Sequence, residues 1–399
     1  MKIKRKDLYG FLYIMVFVAL IEPNGFTNTG LHRILGLIRM GAFVISLFYL
    51  ILYRLYNDKR VLLALSLIGW MTVTTYLYSG TFSDNFLFSF RGMLTAIIFS
   101  AFMIKKYPKQ FVAILAVILS LWIFLDGVTW QDGGIFLTTN GQAAFFLGTK
   151  TSITYYLIPA FTFDFILIRI TRGFAKGIGV SLLGITIFGA ALYLVQQPIS
   201  TAIVCFVMEV AALFVVNRLN RIINIVCKYG VVAVTVINIL FLSGNVLGIF
   251  DQIITLVLHE SGDMSGRFQI WAMVLAYIAN RPLVGYGYSS GIRFDVWQSF
   301  NTSTHNMLLY LLFTMGLVGV AIFGAILYFI HKECNSKKCR NSMIAKYNML
   351  SLVVIAFEAI TESCAYNTQT MCLFMLMMST NTYIMMENKI KNNYEGDIV

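Results

Sequence analysis

Charge is scarce in this sequence. Only 12% of its 399 residues are Asp, Glu, Lys or Arg, about half the share found in soluble domains. With 58% hydrophobic residues spread along the whole chain, no charged shell is available for a soluble core. A polytopic membrane protein is the class that remains. The six cysteines form no framework. No Cys-x-x-Cys occurs, Cys334 and Cys339 lie in a basic loop, and Cys205, Cys227 and Cys372 lie in or beside apolar runs, so a disulfide scaffold or zinc site is not indicated. Walker, Gly-x-Gly-x-x-Gly and Gly-x-Ser-x-Gly patterns are missing, which points away from nucleotide donors and serine-hydrolase chemistry. "MKIKRK" and the apolar run after it lack a small-residue cleavage site, so this stretch reads as a signal anchor. There is no internal repeat and no low-complexity segment, and residues 1–399 read as a single integral membrane domain.

What is present is a series of long apolar segments. A membrane helix needs about 20 mostly apolar residues. Segments 8–24, 37–56, 61–80, 86–104, 111–128, 152–170, 177–195, 199–217, 222–243, 306–330, 344–361 and 367–386 answer that description. They are too long and continuous for barrel strands, so the fold expected is all-α with about twelve transmembrane helices. The basic clusters "KIKRK", "RLYNDKR", "KKYPK", "RITRGFAK", "NRLNR", "HKECNSKKCR" and "ENKIK" all fall on one side if these helices alternate. Positive loops face the cytoplasm, which puts both termini there. The net charge of +12 then belongs to inner loops, and no nucleic-acid partner is indicated.

That topology isolates a small set of cations in the outer half: Arg33, Arg39, Arg91, Lys150, Arg267, Arg281 and Arg293. Basic residues in such positions tend to face a cavity or a ligand. Three of them share residues 245–305, a long outer loop, and long loops in compact proteins are usually functional. Within it, Ser265 can cap a helix beginning near Gly266 or Arg267. Ile270, Trp271, Val274 and Ile278 form its apolar stripe, and Asn280 and Pro282 end it. This helix is too short to span and is expected along the interface, with Trp271 and Tyr277 at that depth. "GYG" at 285–287 reads as a tight turn that lets backbone approach another group. An arginine in the first turn of a helix is favourable when it shares an anion with the free N–H groups, and a phosphate suits both. The alternative is a surface pair of Arg267 with Glu260 or Asp263.

His305 is one of four histidines and stands just before a helix expected from Asn306, with Thr302, Ser303 or Thr304 able to cap it. A helix N-terminus favours the neutral imidazole, a competent general base. The alternative is a histidine bonded to a loop carbonyl. "HESGD" at 259–263 offers a histidine and two carboxylates, but its spacing fits no site. Asp164, Glu209 and Glu358 lie inside apolar segments. They would contact acceptor sugar or carry protons, or else pair with Arg39, Arg91 or polar groups of neighbouring helices.

Taken in order, Gly266-Arg267, Trp271, Pro282-Leu283, Gly285 and Gly287, His305-Asn306 and Gly316-Leu317-Val318-Gly319 resemble the signature of the O-antigen polymerase/ligase superfamily. "FFLGTKTSITYYLIPA" at 145–160 is similar to a Gly-x-Lys-Asn stretch of capsule and O-antigen polymerases, with Thr151 in place of the Asn. "PISTAIV" at 198–204 resembles a Ser-rich span start common in the family. The resemblance implies a GT-C-type membrane fold and an inverting, metal-independent glycosyltransferase without a cofactor. Its donor is an oligosaccharide on undecaprenyl diphosphate, taken at the outer face of the bacterial inner membrane. Its partners are the bilayer, a second lipid-linked repeat unit as acceptor, and flippase and chain-length regulator proteins. No Asp-x-Asp occurs, the carboxylate pattern of metal-dependent GT-C enzymes. By motif match His305 is the base and Arg267 the cation at the leaving diphosphate. Arg91, Arg293, Lys150 and Arg281 are further candidates for substrate, and Asn306 is expected to orient the histidine or cap the helix.

The Gly-x-Lys-like stretch favours polymerisation of repeat units. Ligation to lipid A-core is the alternative within the enzyme class. A lipid-linked oligosaccharide flippase is the alternative outside it, although such transporters more often show two related halves with broken helices in matching places.

Overall fold

The computed structural model describes residues 5–27, 29–137, 143–217, 220–243, 267–288, 292, 294–296, 299–301, 303–363 and 367–396. Helices α1 Arg5–Leu20, α2 Gly30–Leu52, α3 Lys59–Ser79, α4 Asp84–Lys106 and α5 Pro108–Val128 come first. A small hairpin pairs β1 Phe136–Leu137 with β2 Ala143–Ala144. Helices α6 Ile153–Arg169, α7 Gly173–Gln196, α8 Ser200–Val215, α9 Asn220–Leu242 and α10 Arg267–Asn280 follow. A second hairpin, β3 Phe294–Val296 with β4 Ser299–Asn301, precedes α11 Met307–Cys334, α12 Met343–Glu358, α13 Thr368–Met377 and α14 Thr380–Gly396.

Local chemistry sets the ends. Asp58 caps α3 by accepting from the Arg60 N–H, and Ser83 caps α4 by accepting from the Phe86 N–H. Asp84 stands in the first turn of α4 and Lys105 and Lys106 in its last, as the helix dipole favours. Pro108 opens α5, where its missing N–H is harmless. The first expected span stops early, at Leu20, because Glu22 and Pro23 follow.

Eight of the described helices are long and apolar enough to cross a membrane: α2 to α7, α9 and α11. The other four expected spans are helical but shorter. α1, α8 and α12 have 16 residues each. The last one is not a single helix. It breaks at Met378 and Ser379 into α13 and α14, where Arg60 Nη1 donates to Ser379 Oγ at 2.8 Å and Asn348 donates to Thr380 Oγ1 at 2.8 Å. Large apolar side chains such as Leu37, Phe48, Val232 and Leu240 are exposed on α2 and α9, whereas α6 and α13 are buried almost throughout. An apolar exterior around a packed centre is the surface a bilayer solvates.

The basic segments meet at one end of this bundle. Lys105 donates to the Tyr53 carbonyl at 2.9 Å, Arg169 is bonded to Glu387, and Ser342 reaches the same carboxylate. The opposite end carries α10 and the start of α11. There Trp271 of α10 is covered by protein and is only 3% exposed. Ile270, Trp271, Val274 and Ile278 pack with Tyr286, Leu309 and Phe313 in a small second core. The stripe thus buries against protein.

One break positions this core. Gly316, inside α11, has φ 63 and ψ −166, and the helix kinks there. The backbone of 282–287 takes up the freed groups. Leu317 N–H donates to Pro282 O (2.8 Å), while Tyr286 and Gly287 donate to the carbonyls of Phe313 (2.7 Å) and Thr314 (2.9 Å). Trp70 Nε1 donates to Met315 O at 2.9 Å. Irregular backbone within a membrane bundle is tolerated when protein satisfies it in this way. A Cβ on Gly316 would stand 2.2 Å from the Leu283 carbonyl carbon and oxygen. One on Gly285, at φ +67, would stand 2.6 Å from Phe313 O. The Pro-Leu-Val-Gly-Tyr-Gly segment and the Gly-Leu-Val-Gly segment are two halves of one joint.

Candidate active site

His305 is placed by three neighbours in sequence. Its own backbone is left-handed, at φ 46, a costly conformation for a residue with a Cβ. Its N–H donates to Ser303 Oγ at 3.2 Å. Trp271 Nε1 donates to Thr304 O at 2.9 Å, tying α10 to the residue before the histidine. Asn306 is fully buried and caps α11, accepting from the Leu309 N–H at 3.0 Å. Its amide donates to Asn238 Oδ1 (2.7 Å) and Ile360 O (3.0 Å). The cap is therefore Asn306 itself, and α11 begins one residue later than expected.

The segment after α12 is fastened to the same point. Met307 N–H donates to Ala359 O at 2.9 Å, and Thr304 and Ser363 hydroxyls lie 3.3 Å apart. That segment carries Glu362, which is 2% exposed. Arg267 Nη2 lies 3.4 Å from Glu362 Oε1, and Tyr155 donates to Oε2 at 3.1 Å. Arg267 thus pairs with an acid from another element. Glu260 and Asp263, the alternatives open on sequence, lie outside the described residues, as do Ser265, Arg293 and "HESGD".

Burial, and then the nearby Arg267 charge, push the His305 imidazole down from 6.5 to about 4. It is neutral at physiological pH, as a base must be. Burial raises the Glu362 carboxyl, opposed by Arg267, by the Tyr155 bond and by the Lys150 charge. Lys150 therefore belongs to this neighbourhood. It opens a short 3-10 turn, and its carbonyl accepts from Tyr193 Oη at 3.0 Å.

A cleft of about 420 Å³ adjoins the cluster through Tyr155. Glu22 crosses it as an anchor, bonded to His32 Nδ1 at 2.9 Å and to Arg39 Nη2 at 3.0 Å. The Arg39 guanidinium lies 4.2 Å from the centre of the Phe88 ring. Asn367 and Gln369 add amides to the lining. Polar groups converging in one cleft are what a glycan requires, and Tyr155 links its wall to Arg267 through Glu362.

The structure thus brings His305, Arg267, Lys150 and Asn306 together. Arg91 goes elsewhere: it donates to Leu87 O and to the Met40 sulfur, and its charge acts on Arg39. Arg281 ends α10, about 20 Å along that helix from Arg267, and lies 5.1 and 5.5 Å from the rings of Tyr78 and Tyr286. Glu362, Tyr155 and Glu22 were not singled out on sequence. For Glu362 the available signal is an acid in the short connection after the eleventh apolar segment. Two of the three intramembrane acids have hydroxyl partners: Asp164 accepts from Ser120 and Thr186, and Glu209 from Tyr347 and Ser351. Neither needs an arginine.

Residues 183–324 match a family model described as O-antigen ligase (Wzy_C). The matched stretch contains Arg267, Trp271, the Gly285–Gly287 turn, His305 and the Gly316 kink. Over that stretch the chain is similar to the O-antigen ligase family, in line with the resemblance its motifs carry. No curated protein matches the chain.

Proposed function

We propose that this membrane protein polymerises lipid-linked oligosaccharide repeat units, with the reaction at the outer face of the inner membrane and both termini in the cytoplasm. The donor is a glycan on undecaprenyl diphosphate and the acceptor is a sugar hydroxyl of a second lipid-linked unit. The observation that carries the reading is the meeting of Arg267 with the surroundings of His305, close enough for one charge to act on the other.

The step is a single displacement. The acceptor oxygen bonds to the anomeric carbon as the bond from that carbon to the diphosphate oxygen breaks, which inverts the centre. His305 accepts the hydroxyl proton. The leaving diphosphate gains negative charge as the bond lengthens, and the Arg267 fork meets it with paired N–H donors. Lys150 adds positive charge from the adjoining turn. Bound diphosphate offsets the Arg267 charge that weakens His305 as a base, so donor binding raises the basicity of the imidazole. Asn306, buried and committed to the cap, fixes the histidine rather than touching substrate.

Ligation to lipid A-core is the second reading, favoured by the description of the matched family. Purified protein in nanodiscs with a synthetic lipid-linked donor separates these readings from a flippase. Higher oligomers formed without ATP or an ion gradient support the polymerase. Product only when lipid A-core is supplied supports the ligase. Movement of donor across the bilayer with no new glycosidic bond overturns both. In cells, a deletion strain with one repeat on lipid A-core supports polymerase, and unmodified core with accumulated lipid-linked chains supports ligase.

A further inference from the structure

Two basic cavities lie among the described residues at the bundle end remote from His305, and they differ in one respect. The first, between the ends of α3, α4 and α11, contains its own acids. Asp58 lies 2.5 Å from Arg60 Nη2, and Glu333 lines the same space. The second, of about 400 Å³, lies among α9, α11 and α12. Lys228 comes from α9, His331 from α11, Arg340 from the connecting segment and Lys346 from the start of α12. Asn224, Asn335 and Asn341 add amides, and no Asp or Glu is among the described residues that line it.

Several features sum to one sign. The α12 N-terminus points its positive pole at this region, and its first turn holds no acid. Lys346 is 8% exposed, so its charge is partly withdrawn from water. The charges of Lys228 and His331 act on one another. Glu387, another acid at this end, is already engaged by Arg169, Lys391 and Ser342. A cavity whose described lining gathers cations and holds no acid is complementary to an anion from outside the chain.

We propose that this cavity binds a phosphate group. Arginine offers its paired donors, the lysines compact charges and the amides neutral donors, the mixture that surrounds phosphate oxygens in proteins. Basic pockets between transmembrane helices commonly take anionic lipid headgroups, and the volume admits one. A soluble phosphate offers the same chemistry. The site is distinct from the one around His305. α11 begins beside that histidine and runs about 40 Å to this cavity, so an occupant here braces the far end of the same helix.

The test uses the full chain in nanodiscs. Native mass spectrometry compares retention of phosphatidylglycerol with that of phosphatidylcholine, for the parent protein and for Lys228→Gln and Arg340→Gln, two exposed positions. The expected result is preferential retention of phosphatidylglycerol, weakened about fivefold by each substitution. A second arm measures thermal unfolding in phosphatidylcholine nanodiscs with added inorganic phosphate. A rise in Tm that both variants blunt assigns the site to soluble phosphate. Lys346→Met is the deeper probe, and if it fails to fold the two exposed variants still decide. Equal retention of both lipids together with no phosphate effect overturns the proposal, as does binding unaltered by the two exposed substitutions.

Discussion

Arg267 and Glu362 stand 95 positions apart and meet at 3.4 Å, with Glu362 also held by Tyr155. The buried acid holds the guanidinium beside the histidine before any substrate arrives. Arg267→Lys keeps the charge and loses the fork. Product formation in nanodiscs is expected to fall by about 100-fold or more. A rate near that of the parent protein rules out the diphosphate role.

Glu362→Gln keeps an acceptor for Tyr155 and removes the negative charge beside Arg267. With the cation less firmly held, kcat/KM is expected to drop by about tenfold, in line with loss of a charged hydrogen bond. Thermal stability should change little, because a buried carboxyl with a raised pKa gains from becoming a neutral amide. Unchanged kcat/KM in Glu362→Gln argues that the pair is structural only.

The pH profile follows from His305. Its folded pKa of about 4 lies below the ordinary 6.5. The base is therefore already neutral through the physiological range, and kcat/KM should fall only as pH drops through about 4. Diphosphate on Arg267 cancels part of that depression, so the acid limb of kcat should lie at higher pH than the limb of kcat/KM. Coincident limbs would count against the coupling. In stability the sign is the same. Between the two pKa values the unfolded chain binds more protons, so the contribution is whole above the ordinary value and shrinks as pH falls towards the folded one.

Gly316→Ala tests the joint. Its Cβ would overlap the Leu283 carbonyl, and the backbone conformation at φ 63 is strained for alanine. A loss of about 1–3 kcal/mol is expected, seen as a lower Tm in detergent together with reduced product. A protein of unchanged Tm would show that α11 can straighten.

The helices were legible because twelve apolar runs leave the chain few alternatives, and the short amphipathic helix from Arg267 to Asn280 was legible from its stripe. The break at Ser379 was not. It depends on Arg60, which is 319 positions away, and a lone serine in an apolar run carries no sign of that. The partner of Trp271 was hidden for a related reason. Its N–H donates to Thr304 O, 33 positions away, and nothing in the stripe marks that carbonyl. In the site, the order of motifs exposed Arg267 and His305. Glu362 carried no motif, and only the hydrogen bonds joining 304–307 to 359–363 bring it there.

Before the kink at Gly316, α11 serves two cores: Leu309 and Phe313 join the small one with α10, and Met307, Leu311 and Met315 the main bundle. After it, Phe323, Ile326 and Ile330 belong to the main bundle alone. In an unbroken helix one inserted residue rotates everything beyond it by about 100°. Here the backbone bonds to 282–287 reset the phase at the break. A change of phase beyond the break therefore stops there, and His305 keeps its heading.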